Sequence, residues 1–445
     1  ADEGVKRVDM DGVIDNQGNF GADGIVGPHH EKEGSYYTIK QLWSPVQVMN
    51  TAIDRNFDGK LSVENRYDYL NLNTCRFIWQ QVKFPSVTDA SNTTTRILKQ
   101  GEVQGSDVAA HGVGVVDIKT SILPEADALF LTVIDKYGYE LWRWTFPIDK
   151  LNRETEQFSA SSGRASYTET EKGITVKANG RTFVFSKKDG QLKDVSVNNR
   201  KISFANGPRF IGARRADRSL DQFYNHDDEK AKAKDRTYSE FTDAAVFTKL
   251  DVKEEGGNLI LTANYKLGNL DKAQWTIHPD GMATLDYTYN FSGVVDLMGI
   301  CFDYPEEQVL SKRWLGAGPY RVWQNRIHGT QYDIWENDYN DPIPGETFTY
   351  PEFKGYFGSV SWMSIRTKEG TISLTNETPD SYIGVYQPRD GRDRLLYTLP
   401  ESGISVLNVI PPVRNKVNST DLCGPSSQPK WVDGPQTGRL VLRFE

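Results

Sequence analysis

Cysteine, histidine and long apolar runs are all scarce in this chain, and each scarcity removes a class of function. Only Cys75, Cys301 and Cys423 occur in 445 residues, with neither metal-site spacing nor an even count, so no zinc cluster and no disulfide framework is indicated. Of the six histidines, His29 and His30 are adjacent while His111, His226, His278 and His328 stand alone; none forms the i, i+4 pair of a helix-borne metal site, which argues against a metal-dependent hydrolase. No apolar run approaches the roughly 18 residues that a membrane helix requires, and Ala1 to Met10 is charged where a signal peptide is apolar. No membrane partner and a soluble chain are expected. Basic blocks are missing too: 52 Lys and Arg against 60 Asp and Glu give a net charge of -8, and nothing in it would track a phosphate backbone, so nucleic acid is excluded as a partner. The compartment stays open, with a periplasmic or extracellular bacterial location favoured.

Helical periodicity is equally rare. The best stretch is Ser35-Tyr-Tyr-Thr-Ile-Lys-Gln-Leu-Trp43, with Ser35 as cap and Pro45 as stop. What dominates instead is alternation of period two, as in Leu61-Ser-Val-Glu, Gly173-Ile-Thr-Val-Lys-Ala, Asn258-Leu-Ile-Leu-Thr-Ala and Thr371-Ile-Ser-Leu-Thr. Such runs place β-branched and aromatic side chains on one face of a strand. Turn dipeptides at hairpin spacing separate them, among them Asp58-Gly59, Asn179-Gly180, Asp189-Gly190, Asp280-Gly281 and Glu369-Gly370. Close strands joined by such turns predict antiparallel sandwiches, not βαβ units.

The punctuation divides the chain into three. Residues 1–43 are Gly-rich, poor in strand pattern and closed by the helix, and read as the tail of something larger. Over 44–150, strands recur at roughly ten-residue intervals, which predicts an immunoglobulin-like sandwich. A polar linker covers the start of 151–445, and the remaining stretch of about 280 residues exceeds a simple sandwich, predicting a large two-sheet supersandwich.

Local motifs offer little chemistry by themselves. Asp54-Arg-Asn56-Phe-Asp58-Gly59 has a calcium loop's alternate oxygens, but its Glu64 falls one residue early and an acidic hairpin turn accounts for the same letters. The aromatic and Arg-rich stretch Trp314 to Trp335 suits either sugar contact or core packing. Asp303, Glu306 and Glu307 form a carboxylate cluster, yet adjacent strand residues face opposite ways and nothing nearby would raise a pKa, so it is not expected to catalyse glycoside cleavage.

Three stretches resemble the family 2 β-galactosidases. Asp15-Asn-Gln-Gly18-Asn19-Phe20-Gly-Ala-Asp23-Gly24-Ile25-Val26, with Pro28-His29 and the helix ending at Trp43, is similar to the final strand, loop and helix of the family's catalytic barrel. Trp314-Leu315-Gly316-Ala-Gly318-Pro319, with Asn325-Arg326 and Tyr350-Pro351-Glu352 downstream, resembles the signature of its C-terminal domain. Asp421-Leu-Cys423-Gly424-Pro425 resembles an Asp-Ser-Trp-Gly-Pro loop.

The resemblance implies an all-β chain: a barrel remnant, an immunoglobulin-like β-sandwich, then a large galactose-mutarotase-like supersandwich. It implies that both catalytic glutamates precede Ala1, leaving no catalytic residue here and a chain inactive alone, partnered by the missing N-terminal barrel, by carbohydrate and by further copies of itself in a homo-oligomer. Phe20 and Asp23 match a monovalent-cation site; no cofactor is expected in this chain, while a full-length parent would use Na or Mg. Phe20, Asp23, Trp323, Arg326 and Cys423 are the expected rim of the substrate pocket. Two departures point away from lactose: Cys423 stands where the family stacks a tryptophan on galactose, and Tyr320-Arg-Val-Trp-Gln-Asn325-Arg326 replaces Glu-Asn-Tyr-Pro-Asp-Arg. They fit another β-linked sugar, with Trp323 as replacement stacking. Two other readings share the fold, a sugar-binding module and a mutarotase-like epimerase or polysaccharide lyase using His226 or His278 with an acid or Tyr as base.

Overall fold

A computed structural model describes residues 25–26, 32, 34–89, 93–148, 163–215, 238–241, 243–338, 355–378, 380–385, 400–412 and 424–445. Nearly all of this is strand. The one α-helix among the described residues, Gly34–Leu42, runs up to Trp43, whose N–H still bonds to the Ile39 carbonyl at 2.9 Å. Ser35 lies inside its first turn instead of ahead of it, the one-residue drift usual at helix ends.

After the helix come two antiparallel sheets packed face to face. Val46–Val48, Lys60–Asn65 and Val113–Asp117 make a sheet of three, and Arg96–Gln104, Arg76–Lys83, Ala128–Ile134 and Glu140–Pro147 make a sheet of four. Their alternation is the reason they pack: Leu61 and Val63 point inward from the first, Phe77, Trp79, Leu131, Trp142 and Trp144 from the second, and all are buried in one core. The acidic stretch before Lys60 is a turn, with Asp58 Oδ1 accepting from the Lys60 N–H at 3.0 Å and Asp54 Oδ1 from the Asn56 N–H at 2.9 Å.

The second sandwich is much larger, an eleven-stranded sheet against a nine-stranded one. Phe183, Phe185, Phe204 and Phe302 from the first meet Trp275, Tyr289, Trp314 and Phe444 from the second, all at or below 1% exposure. The hairpin chemistry works as the sequence predicts: Gly173–Ala178 and Arg181–Ser186 pair through the two-residue turn Asn179-Gly180, where both residues have positive φ, 44° and 76°.

One strand, Lys430–Phe444, runs antiparallel to Ala283–Val295 from Lys430 to Leu442 and to Thr371–Asn376 only over its last five residues. Among the described residues it is paired on one side only from Lys430 to Arg439, and on both from Leu440 to Leu442. Pro435 lies in the first half, where one side of the strand is open and the missing N–H breaks no ladder on that side.

The two sandwiches share an interface. Phe84, Ala128 and Phe130 of the small one pack with Leu315, Trp362 and Ile334 of the large one. Polar bonds cross it: Arg143 donates to Asp333 Oδ2 at 3.1 Å and to Gln331 Oε1 at 2.8 Å, and the Thr95 hydroxyl donates to Asp333 Oδ1 at 2.7 Å.

Candidate functional site

Two of the segments that resemble the glycosidase family flank the loop 320–330, which follows the strand Val309–Gly318. Glycine is required at its last position for steric reasons. A Cβ on Gly318 would lie 2.3 Å from Cδ1 of Trp335, whose indole N–H donates to the Gly316 carbonyl at 3.1 Å. Trp314, fully buried, donates its own indole N–H to the Ala317 carbonyl at 3.0 Å. The Trp-Leu-Gly-Ala-Gly run is thus a packing lock that fixes the loop's point of departure.

From there the loop is clamped on two sides. On one side is the helix Gly34–Leu42: Tyr37 stacks on Tyr320 with ring centroids 5.7 Å apart, the Thr38 hydroxyl donates to the His328 carbonyl at 2.8 Å, and Gln41 accepts from the Gly329 N–H. The helix also holds the small sandwich, through Tyr37 packed on its core and Lys40 paired with Glu140 at 2.8 Å. Burial pushes the Tyr320 hydroxyl well above the usual phenol range, so it stays a protonated donor. On the other side is the turn Pro425–Ser427: the side-chain amide of Gln324 donates to the Ser426 and Gln428 carbonyls, both at 2.7 Å, and Asn325 donates to the Ser427 hydroxyl at 2.8 Å.

Of the expected rim residues, Trp323 and Arg326 are among the described residues. Trp323 is 3% exposed, edge-on to Tyr356 at 5.6 Å and a member of the buried cluster that includes Ile211, Leu297 and Leu407, so its ring is not open to solvent. Arg326 closes the same turn, its N–H bonding to the Trp323 carbonyl at 2.9 Å, and its charge acts on the Tyr320 hydroxyl. Phe20, Asp23 and Cys423 lie outside the described residues, as do Pro28, His29, His226 and Tyr350 to Glu352.

The anchors Thr38, Gln324, Asn325 and Ser427 escape a reading of the sequence because each finds its partner 102 or more residues away; only paired substitutions among relatives would reveal them. What this junction holds is hydroxyl, amide and cationic groups. Residues 34–42, 320–330 and 424–428 contain no Asp or Glu, so these three segments supply neither the acid nor the nucleophile of a glycosidase.

The carboxylate cluster singled out in the sequence is in structural use at Asp303. Asp303 pairs with Arg209 and accepts from the Asn206 amide at 2.6 Å. No group of three or more His, Cys, Asp or Glu side chains converges as a metal site among the described residues. His278 sits in a hairpin turn, its Nε2 bonded to the Thr284 hydroxyl at 2.9 Å, and lines neither the cleft beside Phe57 and Tyr382 nor the one beside Lys272 and Arg439.

Among solved structures, the chain is similar to galactose 1-epimerase from Lactobacillus acidophilus, at 9% identity and a TM-score of 0.31, over 64% of this chain and 99% of that one. It is also similar to a cycloalternan-forming enzyme from Listeria monocytogenes, at 9% identity and a TM-score of 0.17, over 92% of this chain and 31% of that one. No curated protein matches it. The profile of the beta galactosidase small chain matches residues 177–407. That match takes in more than half of the sequence and most of the large sandwich, and the chain therefore belongs to the β-galactosidase small-chain family.

Proposed function

We propose that this chain is the non-catalytic C-terminal portion of a family 2 glycoside hydrolase acting on terminal β-linked sugars, and that it supports and shapes the mouth of an active site whose acid and nucleophile are carried by a catalytic barrel outside these 445 residues. One observation carries the reading. The helix that resembles the barrel's last element, the loop that follows the small-chain signature and the Gly424-Pro425 turn interlock at one place, through Tyr37–Tyr320, Thr38–His328 and Gln324–Ser426. Segments far apart in sequence that meet at a carboxylate-free junction suit positioning work, since hydrogen-bonded loops hold a pocket wall in place without taking part in proton transfer. In this reading Phe20 and Asp23 belong to the parent's cation site, Na or Mg serves the parent, and carbohydrate and the barrel are the partners.

The test is an assay of the purified 445-residue protein on chromogenic β-galactosides and other β-glycosides, with polarimetry of α-D-galactose alongside. Neither cleavage nor accelerated mutarotation is expected. Glycoside cleavage that vanishes when one of the chain's own carboxylates is replaced would overturn the proposal, and catalysed mutarotation would replace it with an epimerase.

A further inference from the structure

Lysine is among the side chains least often found fully buried, yet Lys312 is 0% exposed. It lies on the strand Val309–Gly318, two residues before Trp314, and so shares the face that Trp314 turns to the core of the large sandwich. The neighbouring strand Gln331–Asp338 pairs antiparallel with it, in a register that sets Trp314 opposite Trp335 and Lys312 opposite Asn337. Directly opposed residues of such a pair project to one face with Cβ atoms about 5 Å apart, within the span of a lysine side chain.

The amine is held at that end of its partner strand, where Lys312 Nζ donates to the Asp338 carbonyl, one residue beyond Asn337, at 3.3 Å. Asn337 Oδ1 is buried and has no hydrogen-bond partner among the described residues. Two unfavourable features thus meet at one place, an amine shut away from water and a carbonyl oxygen without a donor. An apolar pair would carry neither penalty, as Ile365 shows on the other side of Lys312, where it is the cross-strand neighbour and fully buried.

We propose that Lys312 and Asn337 condense into an intramolecular isopeptide bond. The uncharged amine is the nucleophile: the bond from Nζ to Cγ of Asn337 forms, the bond from Cγ to Nδ2 breaks, and one Nζ proton departs with Nδ2 as ammonia. No oxidant, reductant or further reactant takes part. Fixing both groups on adjacent strands supplies the high effective concentration that an exchange between two amines on one acyl carbon requires. The product removes an ionisable group from the interior, and its remaining N–H keeps the Asp338 carbonyl as acceptor. Gln331–Asp338 ends the nine-stranded sheet and carries Asp333, to which Arg143 and Thr95 of the small sandwich attach. The bond would therefore tie down the border strand on which the two sandwiches meet. It does not depend on the reading of the chain as part of a glycosidase.

Intact-mass spectrometry of the purified 445-residue protein tests it. The expected mass is about 17 Da below that of the sequence, the loss of one ammonia. A tryptic digest should yield a branched peptide joining positions 312 and 337, with no cleavage after Lys312. Lys312→Met and Asn337→Ala are each expected to show the full mass of their own sequences. Wild-type protein at its full sequence mass would overturn the bond, and this result is read on the native chain whether or not the variants fold. The same deficit persisting in Lys312→Met would also overturn it, since ammonia would then be lost elsewhere, as in cyclisation at Asn179-Gly180.

Discussion

The side-chain amide of Gln324 reaches across 102 residues to donate to the Ser426 carbonyl at 2.7 Å, and donates to the Gln428 carbonyl at the same distance. Two backbone acceptors therefore depend on one side chain that is 8% exposed. Gln324→Ala removes both donors at once and is expected to destabilise the protein by about 2 kcal/mol. Gln324→Glu should cost more, because a carboxylate would face two carbonyl oxygens. Urea denaturation of both variants checks this; equal stability of the two would show that the amide is not holding the turn.

Asp333 joins the two sandwiches through Arg143 and Thr95. With side chains only 24% and 15% exposed, the Arg143–Asp333 pair is sheltered enough for its loss to register. A double-mutant cycle on Arg143→Ala and Asp333→Ala is expected to return a coupling of about 1–2 kcal/mol. A coupling near zero would mean that the apolar contacts around Phe130 and Trp362 bind the sandwiches without help from this pair.

His278 predicts a pH dependence. Burial, its main perturbation, holds the imidazole below its ordinary 6.5; Arg439 acts in the same direction and Asp280 opposes them. The folded protein thus binds this proton less readily than the unfolded chain, so stability is retained above the unfolded value and falls as pH drops through about 6.5. Between pH 7.5 and 5.5 the melting temperature should fall further in the wild type than in His278→Gln, which keeps a hydrogen-bonding partner for Thr284. Parallel curves would exclude the effect.

Cys75 and Cys301 are both buried. Burial raises the Cys75 thiol and pushes Cys301 up to about 12, which leaves almost no thiolate at neutral pH. Iodoacetamide at pH 7.5 is therefore expected to modify neither until denaturant is added, as peptide mass mapping would show. Rapid native labelling of Cys301 would contradict its place between the strands of the large sandwich.

Much of the fold was legible because it rests on local rules. Period-two runs such as Gly173 to Ala178 alternate between core and surface, and Asn179-Gly180 makes the turn its letters demand. The strand Lys430–Phe444 was harder, since Gly434-Pro435 reads as a breaker and only the half-open pairing explains why it is tolerated. At the candidate site the signature residues were visible, but their purpose was not. Trp323 suits a sugar-facing ring as well as a packed one in sequence, and burial, which separates the two, depends on Leu297 and Leu407, far along the chain. Asp54 and Asp380 line one cleft although they are far apart in the chain, a neighbourhood that no local pattern in the sequence encodes.

The placing of Leu440 to Leu442 between the strands Ala283–Val295 and Thr371–Asn376 has a consequence for assembly order. Until that segment arrives, the nine-stranded sheet is two separate pieces, each with a naked border of amide and carbonyl groups ready to recruit a neighbouring molecule. A nascent chain must protect both borders while more than sixty residues are still to be made after Asn376, and proteolytic trimming of that last segment would add two unpaired strand edges to those the open sheet already has.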